Sequence, residues 1–461
     1  MKAVNNRGKV RRSRRRQMII AVALGVTTLS LYGCGSSGTN ATGASSGAGG
    51  STGSAKSGGS GGAGSGSGKS IVLTEEDYYT SGSSSTFWPK LFAEYHKLHP
   101  NITIKRTTVP QAQYVPHLLD QAGGSALPDI VMIDNPYVAQ FAKSGVLTPL
   151  TSIGPINTSE VAPTELYDGV YKGKLYAIPP YTNTIALAYN KKIFAAAHMR
   201  PPKTWAQLVS DAKALTTPSR WGFEVDLSAQ ADGAFWGLAP FLWTNAGADA
   251  TNDINSPAAV AALNLFVKME RDGSMPKAEV SWLGTQDTEY FEEGKAAMTL
   301  NGSWNIAALN AVKGFSYGTV EIPVPSPSKK LLVPTGGETW TIPQSDSPAA
   351  KQAALQLFRW LLTPSVDAKE AIGQGGLIPT VKGAVAPAVK AEDPAQITPY
   401  AEELQNGGTP RTRYLGTGFD QITTTIGNAI DSAVVGPTTA KQAFDSIAAT
   451  VKSELKSVGE G

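Results

Sequence analysis

Cysteine is almost absent from this 461-residue chain, in which Cys34 is the only thiol. A single cysteine forms no internal disulfide, so the body of the protein must be stable through its core alone. A buried structural thiol is also excluded, because residues 35–69, which follow Cys34, are almost entirely Gly, Ser, Ala and Thr. A segment of this composition is predicted to be a flexible linker that spans on the order of 30 Å.

Histidine and basic surface stretches are also scarce. His96 and His99 could in principle bind a metal from one helix face, but they lie at a predicted solvated helix end before Pro100, so no metal site is predicted. Eight of the 40 Lys and Arg residues fall within residues 1–17, which leaves 32 against 37 Asp and Glu in the rest. The rest has no stripe of Lys and Arg with aromatic residues between them, so nucleic-acid binding is not expected.

Long apolar runs are missing as well. The run at residues 18–33 follows the basic N-terminus and has the length of a signal-peptide core, but it is too short and too interrupted for a stable membrane span. Leu31-Tyr32-Gly33-Cys34 resembles a bacterial lipobox, in which the cysteine receives diacylglycerol and becomes the mature N-terminus. Two acyl chains anchor a protein stably. "SRRRQMI" also loosely resembles a twin-arginine signal, so the export route stays open.

The remaining 392 residues, 70–461, have a mixed α/β pattern. The segments "KSIVLTEED", "NITIKRTTV" and "PDIVMID" predict strands, and the helix-periodic segments "STFWPKLFAEYHKLHP", "YVPHLLDQAGG" and "PYVAQFAKSG" follow them in turn. This alternation predicts parallel βαβ units. Ligands bind at the carboxyl ends of such strands. The candidates at those ends are Asp77, Tyr78, Tyr79, Asp134 and Asn135.

Enzyme motifs give only false matches. Residues 58–62 fit G-x-S-x-G and residues 33–38 fit G-x-G-x-x-G, but neither lies between a strand and a helix, as the chemistry requires. Glu292 and Glu293 are neighbours on a predicted helix, so their side chains point about 100° apart and cannot flank one scissile bond. We therefore predict a binding protein and not an enzyme.

Tryptophan, by contrast, is abundant. There are nine: Trp88, Trp205, Trp221, Trp236, Trp243, Trp282, Trp304, Trp340 and Trp360. Trp205 and Trp360 lie on helix-periodic apolar faces and are predicted to be core residues. Trp236 and Trp304 lie beside Gly or Asn, residues that favour turns, and are predicted to face a cleft. An aromatic plane with a few polar groups around it matches the apolar face and hydroxyl rim of a sugar.

Five segments in order resemble the solute-binding proteins of bacterial ABC importers, in particular the large sugar-binding family that includes maltose-binding protein. These are "LPDIVMIDNPYVAQFAKSGVLTPL", "YKGKLYAIPPYTNTIALAYNKKIF" with "PPKTWAQL", "YFEEGKAAMTLNGSWNI", "GGETWTIPQSDSPAAKQAALQLFRWLLTP" and "GQGGLIPT". The resemblance implies an α/β, two-lobed periplasmic-binding-protein-like fold of type II, with hinge crossings and a ligand cleft between the lobes. It also implies a membrane permease as partner and no cofactor.

The same resemblance implies ligand-binding positions. Asn183 stands where the family has a ligand-binding acid, and Trp304 in "NGSW" matches its stacking tryptophan. Phe235 and Trp236 are expected on the opposing wall, and Asp134 in the ligand loop of the first lobe. Further candidates are Glu338 and one of two arginines, Arg411 or Arg413. Of these two, Arg413 is predicted to bind the ligand. The family's indole near Ile133 is missing, which puts a long maltodextrin ligand in doubt.

The expected organisation is a signal peptide at 1–33, then Cys34 and a linker to 69. Lobe 1 is expected at 70–181 plus 326–375, and lobe 2 at 182–325 plus 376–461. The crossings are expected at residues 179–184 and 323–330. The predicted protein is a monomer, lipid-anchored at the outer face of the membrane, that delivers a sugar or oligosaccharide to its permease. The alternatives are a polyamine, peptide or metal complex as the solute, or an exported carbohydrate-cleaving enzyme.

Overall fold

A computed structural model of the protein describes residues 69–459, except 125, 230–232, 278–285, 345–346 and 392; the side chains of residues 286 and 287 are also left out. The predictions for the export signal, for Cys34 as a lipid acceptor and for the linker therefore lie outside the described residues. The same is true of Trp282. None of the helices in the described part of the chain is long and apolar enough to cross a membrane.

The strands follow the chain in a sequence of long and very short segments. They are β1 Ile71–Asp77, β2 Ile102–Thr108, β3 Ile130–Asp134, β4 Val170–Tyr171, β5 Lys174–Leu175, β6 Ala177–Ile178, β7 Tyr181–Thr182, β8 Ile185–Asn190, β9 Met298–Gly302, β10 Tyr317–Val320, β11 Val333–Thr335, β12 Glu338–Thr341, β13 Ile378–Pro379 and β14 Gly408–Pro410.

Helices account for most of the remaining chain. They are α1 Gly82–Leu98, α2 Gln111–Gly123, α3 Val138–Lys143, α4 Leu150–Ile153, α5 Pro163–Tyr167, α6 Lys191–Ala196, α7 Trp205–Leu215, α8 Gly233–Ala246, α9 Pro257–Arg271, α10 Gln286–Glu292, α11 Ile306–Ala311, α12 Pro348–Leu361, α13 Pro364–Gln374, α14 Val385–Ala391, α15 Pro394–Gly407, α16 Phe419–Val434 and α17 Ala440–Val458. Capping boxes at Thr204 and Thr439 satisfy the free amides at the starts of α7 and α17.

The first sheet has the strand order β2-β1-β3-β12-β6. Strands β1, β2 and β3 are parallel, which confirms the βαβ pattern of the sequence. Strand β12 enters from far along the chain and runs antiparallel to β3, with Glu338 opposite Asp134. Apolar side chains of α1 and α12 pack against this sheet in one buried cluster with Leu73, Met132 and Trp340. The carboxyl ends of β1 and β3 and the start of β12 therefore meet at one edge.

The second sheet, in the order β10-β8-β9, is antiparallel throughout. It packs into a larger buried cluster with α8, α9, α16 and α17. Trp205 packs against this cluster, and Trp360 packs against the cluster of the first sheet, as their helix-periodic positions predict. The two sheets and their separate cores form the two lobes of the fold.

The chain segments that join the two cores differ in part from the sequence prediction. Residues 179–184 do lie between them, since Tyr181 packs with the first core and Ile185 with the second. Residues 323–330 do not, because Ile322 and Val333 on either side both belong to the second core. The return crossing is at residues 333–338, where Asn183 and Gly336 form an antiparallel bridge. Gly337 has a φ of +125°, which favours glycine.

The sequence predicts a third passage between the cores at residue 375, but the chain stays in contact with the first lobe beyond this point. Leu377, Val381 and Ala388 still pack with the first core. Strand β13 pairs with β7, and β14 pairs with β11 beside the return crossing. Residues 376–391 therefore contact the first lobe, because their apolar side chains fill the space beside α13. The segment after β14 then enters the region where the two lobes meet.

Candidate functional site

The loop after β1 is fixed by an ion pair. The guanidinium of Arg106 donates to both carboxylate oxygens of buried Asp77, with 2.7 Å from Nη2 to Oδ1. The amide of Tyr79 donates to the same Oδ1 at 2.7 Å, and the Tyr79 hydroxyl lies 2.5 Å from that of Tyr181. Through these contacts Asp77 and Tyr79 hold the loop in place at the edge of the site. Arg106, which the sequence analysis did not identify, compensates the charge of Asp77.

Arg411 connects the two lobes at this edge. It follows β14 directly, and its Nη2 donates to Asp134 Oδ1 and, at 2.7 Å, to Asn135 Oδ1. On its other side the guanidinium carbon lies 4.8 Å from the centre of the Trp236 ring and 5.9 Å from that of Phe419. Burial raises the pKa of Asp134, and the charge of Arg411 opposes this shift. The guanidinium is thus held by carboxylate and amide on one lobe and by aromatic faces on the other.

Glu338 is a buried acid beside the partly exposed Asp134. The Tyr78 hydroxyl donates to its Oε1, and its Oε2 has no hydrogen-bond partner among the described residues. Burial raises the pKa of Glu338 to about 7, while Arg411 lowers it and Asp77 raises it further. Near neutral pH this group is therefore partly protonated and can both donate and accept a hydrogen bond.

Asn183, Trp236 and Trp304 form the other part of the site. Asn183 is 7 % exposed, and its Oδ1 has no hydrogen-bond partner in the described part of the chain. Trp236 and Trp304 meet edge to face, with ring centres 5.6 Å apart, and Trp304 remains 42 % exposed. A large exposed indole next to buried hydrogen-bond acceptors can stack on an apolar ligand face. The cleft site, as the term is used below, comprises Asp77, Tyr78, Tyr79, Asp134, Asn135, Asn183, Trp236, Trp304, Glu338 and Arg411.

Gly336 lets Asn183 and Trp236 come this close. A Cβ at this position would clash with Asn183 Oδ1 and lie 2.7 Å from the Trp236 ring. We expect Gly336→Ala to lower the free energy of unfolding by about 1 to 3 kcal/mol, as overpacking does. Urea unfolding measures the change. Gly123→Ala, where no atom lies within 4 Å of the new methyl group, is the matched control and should not be destabilised. Equal losses in both variants would contradict the packing described here.

Two sequence predictions need correction. Phe235 is 1 % exposed and packs edge to face with Trp243 and Phe419, so it is a core residue. Neighbours on a helix point about 100° apart, and only Trp236 of the pair faces the cleft site. Arg413 is exposed and lies over Tyr414, whereas Arg411 is 3 % exposed and enters the site. The sequence has no signal that separates the two arginines.

Comparison with known proteins identifies the family of this chain. Residues 90–399 match the family model described as "Bacterial extracellular solute-binding protein". The chain belongs to this family. The solute-binding protein is 23 % identical over 408 residues to the galactooligosaccharide-binding protein of Bacillus subtilis (strain 168), covering 86 % of this chain and 92 % of that one.

Two further relatives of this solute-binding protein are informative. A maltooligosaccharide ABC transporter solute-binding lipoprotein of Streptococcus pneumoniae (strain ATCC BAA-255 / R6) is 27 % identical over 248 residues, or 49 % of this chain and 54 % of that one. The crystal structure of the cyclic alpha-maltosyl-1,6-maltose binding protein from Arthrobacter globiformis superposes with a TM-score of 0.70 at 23 % identity, over 84 % of this chain and 100 % of that one. The two-lobed fold of the solute-binding protein is thereby confirmed.

Proposed function

We propose that the protein captures a sugar or oligosaccharide outside the cell, held to the membrane by a lipid on Cys34, and hands it to the permease of an ABC importer. The observation that supports this most is the exposed Trp304, packed on Trp236 beside the unpartnered oxygens of Asn183 and Glu338. Ring stacking and hydrogen-bond acceptors together suit a solute with one apolar face and many hydroxyl donors. Relatives named for oligosaccharide binding agree with this class.

Charge in the cleft site argues against a polyamine. Arg411 pairs with Asp134, and Arg106 pairs with Asp77, so two of the three acids are already compensated. The third, Glu338, has its pKa raised by burial to about 7. A polycation would need uncompensated carboxylates, and few remain here.

The geometry also argues against a glycoside-cleaving enzyme. The two acids closest in the sheet, Asp134 and Glu338, are opposite each other on adjacent strands. They lie on one wall of the cleft and cannot flank a bond from two sides, as glycoside hydrolysis requires. The membership of a solute-binding family supports the same non-enzymatic role.

A thermal-shift screen of the full-length protein tests the proposal. Maltose, maltotriose and galactose-containing oligosaccharides are compared with spermidine at matched concentrations. A true solute at a hundredfold excess over its Kd should stabilise the protein by about 2.7 kcal/mol. Stabilisation by spermidine with none by any carbohydrate would overturn the sugar assignment.

Trp304→Ala should weaken binding of the carbohydrate identified in that screen by about tenfold. Stacking a sugar face on the ring removes a few tens of Å² of apolar surface from water, which contributes about 1 to 2 kcal/mol. Stability should change little, because the ring is already 42 % exposed. Isothermal titration and urea unfolding measure the two quantities. Trp360→Ala, which removes a half-buried indole packed against the first core, is the control: it should lose stability and keep affinity.

Cys34→Ser should remove the lipid anchor. We expect the variant to leave the membrane fraction or to stay there only through an uncleaved signal. Cell fractionation followed by mass spectrometry of the N-terminus distinguishes these results. Recovery of the unaltered mature protein as a soluble species without detergent would count against the anchor.

A further inference from the structure

A second cavity, of about 1040 Å³, lies apart from the cleft site. One wall comes from α3 and from residues 158–173, and the other comes from residues 412–417 and the end of α17. None of the cleft-site residues lines it. We call it the lysine cavity after the cations at its rim.

The walls of the lysine cavity belong to different lobes. Val161 and Leu166 pack with the first core, whereas Leu415 and Leu455, next to the second wall, belong to the other core. A molecule bound here would therefore contact both lobes at once. Its binding would depend on their arrangement, and it would in turn favour one arrangement.

The polar centre of the lysine cavity is Asp168. This residue is 4 % exposed, and its Oδ1 accepts a hydrogen bond from the Thr412 hydroxyl. Its Oδ2 is buried and has no hydrogen-bond partner among the described residues. Burial raises the pKa of Asp168 to about 6, and Thr412 and Arg411 lower it. An unsatisfied buried acceptor costs free energy, which a hydroxyl donor from a ligand would recover.

The rim carries the opposite charge. Lys143, Lys172 and Lys456 line the lysine cavity and are exposed, and among the described residues that form its walls Asp168 is the only one with a carboxylate. The Lys143 ammonium lies 3.4 Å from the Thr417 hydroxyl, and that of Lys172 lies over the ring of Tyr171. Tyr167 and Val170 add exposed apolar surface, at 43 % and 40 %. The described walls thus combine three cations, one buried acceptor and an apolar surface.

We propose that the lysine cavity is a second binding site, for a small anionic polyol of the phosphorylated-monosaccharide class. The phosphate lies among the three lysines, a hydroxyl donates to Asp168 Oδ2, and the ring packs on Tyr167. The size of the cavity suits a ligand of one or two sugar rings. Thr412, which holds Asp168, directly follows Arg411 of the cleft site in the sequence.

Isothermal titration of the full-length protein with glucose 6-phosphate tests the proposal. Glucose, which lacks the phosphate group, and inorganic phosphate, which lacks the sugar ring and its hydroxyls, serve as comparison probes. We expect one glucose 6-phosphate bound per chain, at least tenfold tighter than either probe. Equal affinity for phosphate would show an anion site without polyol recognition, and no binding of glucose 6-phosphate would refute the site; either result overturns the proposal.

Variants assign the binding to this cavity. Lys172→Gln combined with Lys456→Gln should weaken glucose 6-phosphate binding at least tenfold, and Asp168→Asn should do so by a similar factor. Lys174→Gln, an exposed lysine on the same hairpin outside the cavity, should change it less than twofold. Trp304→Ala should leave it unchanged, whatever the cleft site binds. Loss of binding in Trp304→Ala, or unchanged binding in the double lysine variant, would place the ligand elsewhere and overturn the proposal.

Discussion

Arg411→Ala is expected to lower the free energy of unfolding by about 3 to 5 kcal/mol at pH 8, because it leaves buried carboxylates without their cation. Asp134 loses its ion-pair partner, and Asp168 and Glu338 lose a charge that stabilises their ionised forms. The loss should be smaller at pH 5, where these acids take up protons in the folded state. Urea unfolding at the two pH values measures both effects.

Arg413→Ala is the matched control for this substitution. Arg413 lies two residues away and is exposed, so its removal should change stability by less than about 0.5 kcal/mol. Asp134→Asn should recover part of the loss in an Arg411→Ala background, because it removes one of the uncompensated charges. If the two arginine variants prove equally stable, Arg411 does not connect the lobes as described.

Glu338→Gln should change the pH dependence of stability. Burial raises the folded-state pKa of Glu338 from 4.5 to about 7, so the folded protein holds this proton more tightly than the unfolded chain does. The stability contributed by the protonated acid is complete below pH 4.5 and is lost as the pH rises to 7. Glutamine cannot ionise and can still accept from Tyr78. Relative to the unaltered protein, the variant should gain about 3 kcal/mol between pH 4.5 and pH 8.

The measurement is the free energy of unfolding by urea at half-unit pH steps for both proteins. Only the difference between the two free energies of unfolding is used. The contributions of the other buried acids are the same in both proteins and cancel in this difference. Glu402→Gln, at an exposed position on α15, is the control for the glutamine replacement itself. A difference for Glu338→Gln that stays flat from pH 4.5 to pH 8 would mean that Glu338 ionises normally in the folded protein.

Local patterns predicted the start of the first sheet well. The alternating segments became β1, β2 and β3, and α1 ends before Pro100, because strand and helix periods depend on neighbouring residues. Asp134 and Asn135, which end and follow a buried strand, were chosen as candidates for the same reason, and the structure places both at the edge of the cleft site. Trp304 was chosen through the turn-forming residues before it, and the structure leaves its ring 42 % exposed.

Contacts between residues that are far apart in the sequence could not be predicted from local patterns. Arg411 meets Asp134 across 277 residues, and nothing in "TPRTRYL" marks the first arginine as the buried one. The return crossing was misplaced because Pro and Ser at residues 323–330 suggest a linker, although Ile322 and Val333 on either side pack into one core. Phe235 was misassigned because an aromatic pair on a helix was treated as one surface.

The position of β12 beside β3 also shapes how this protein folds. Thr339 Oγ1 donates to the carbonyl of Ile133 at 2.8 Å, across 206 residues of chain. Closing so long a loop costs entropy, and contacts between distant residues slow folding. Until residues 338–341 pair, β3 has an open edge and β6 has no partner strand. The half-built first lobe is therefore the stage at which two copies of this chain would most readily aggregate.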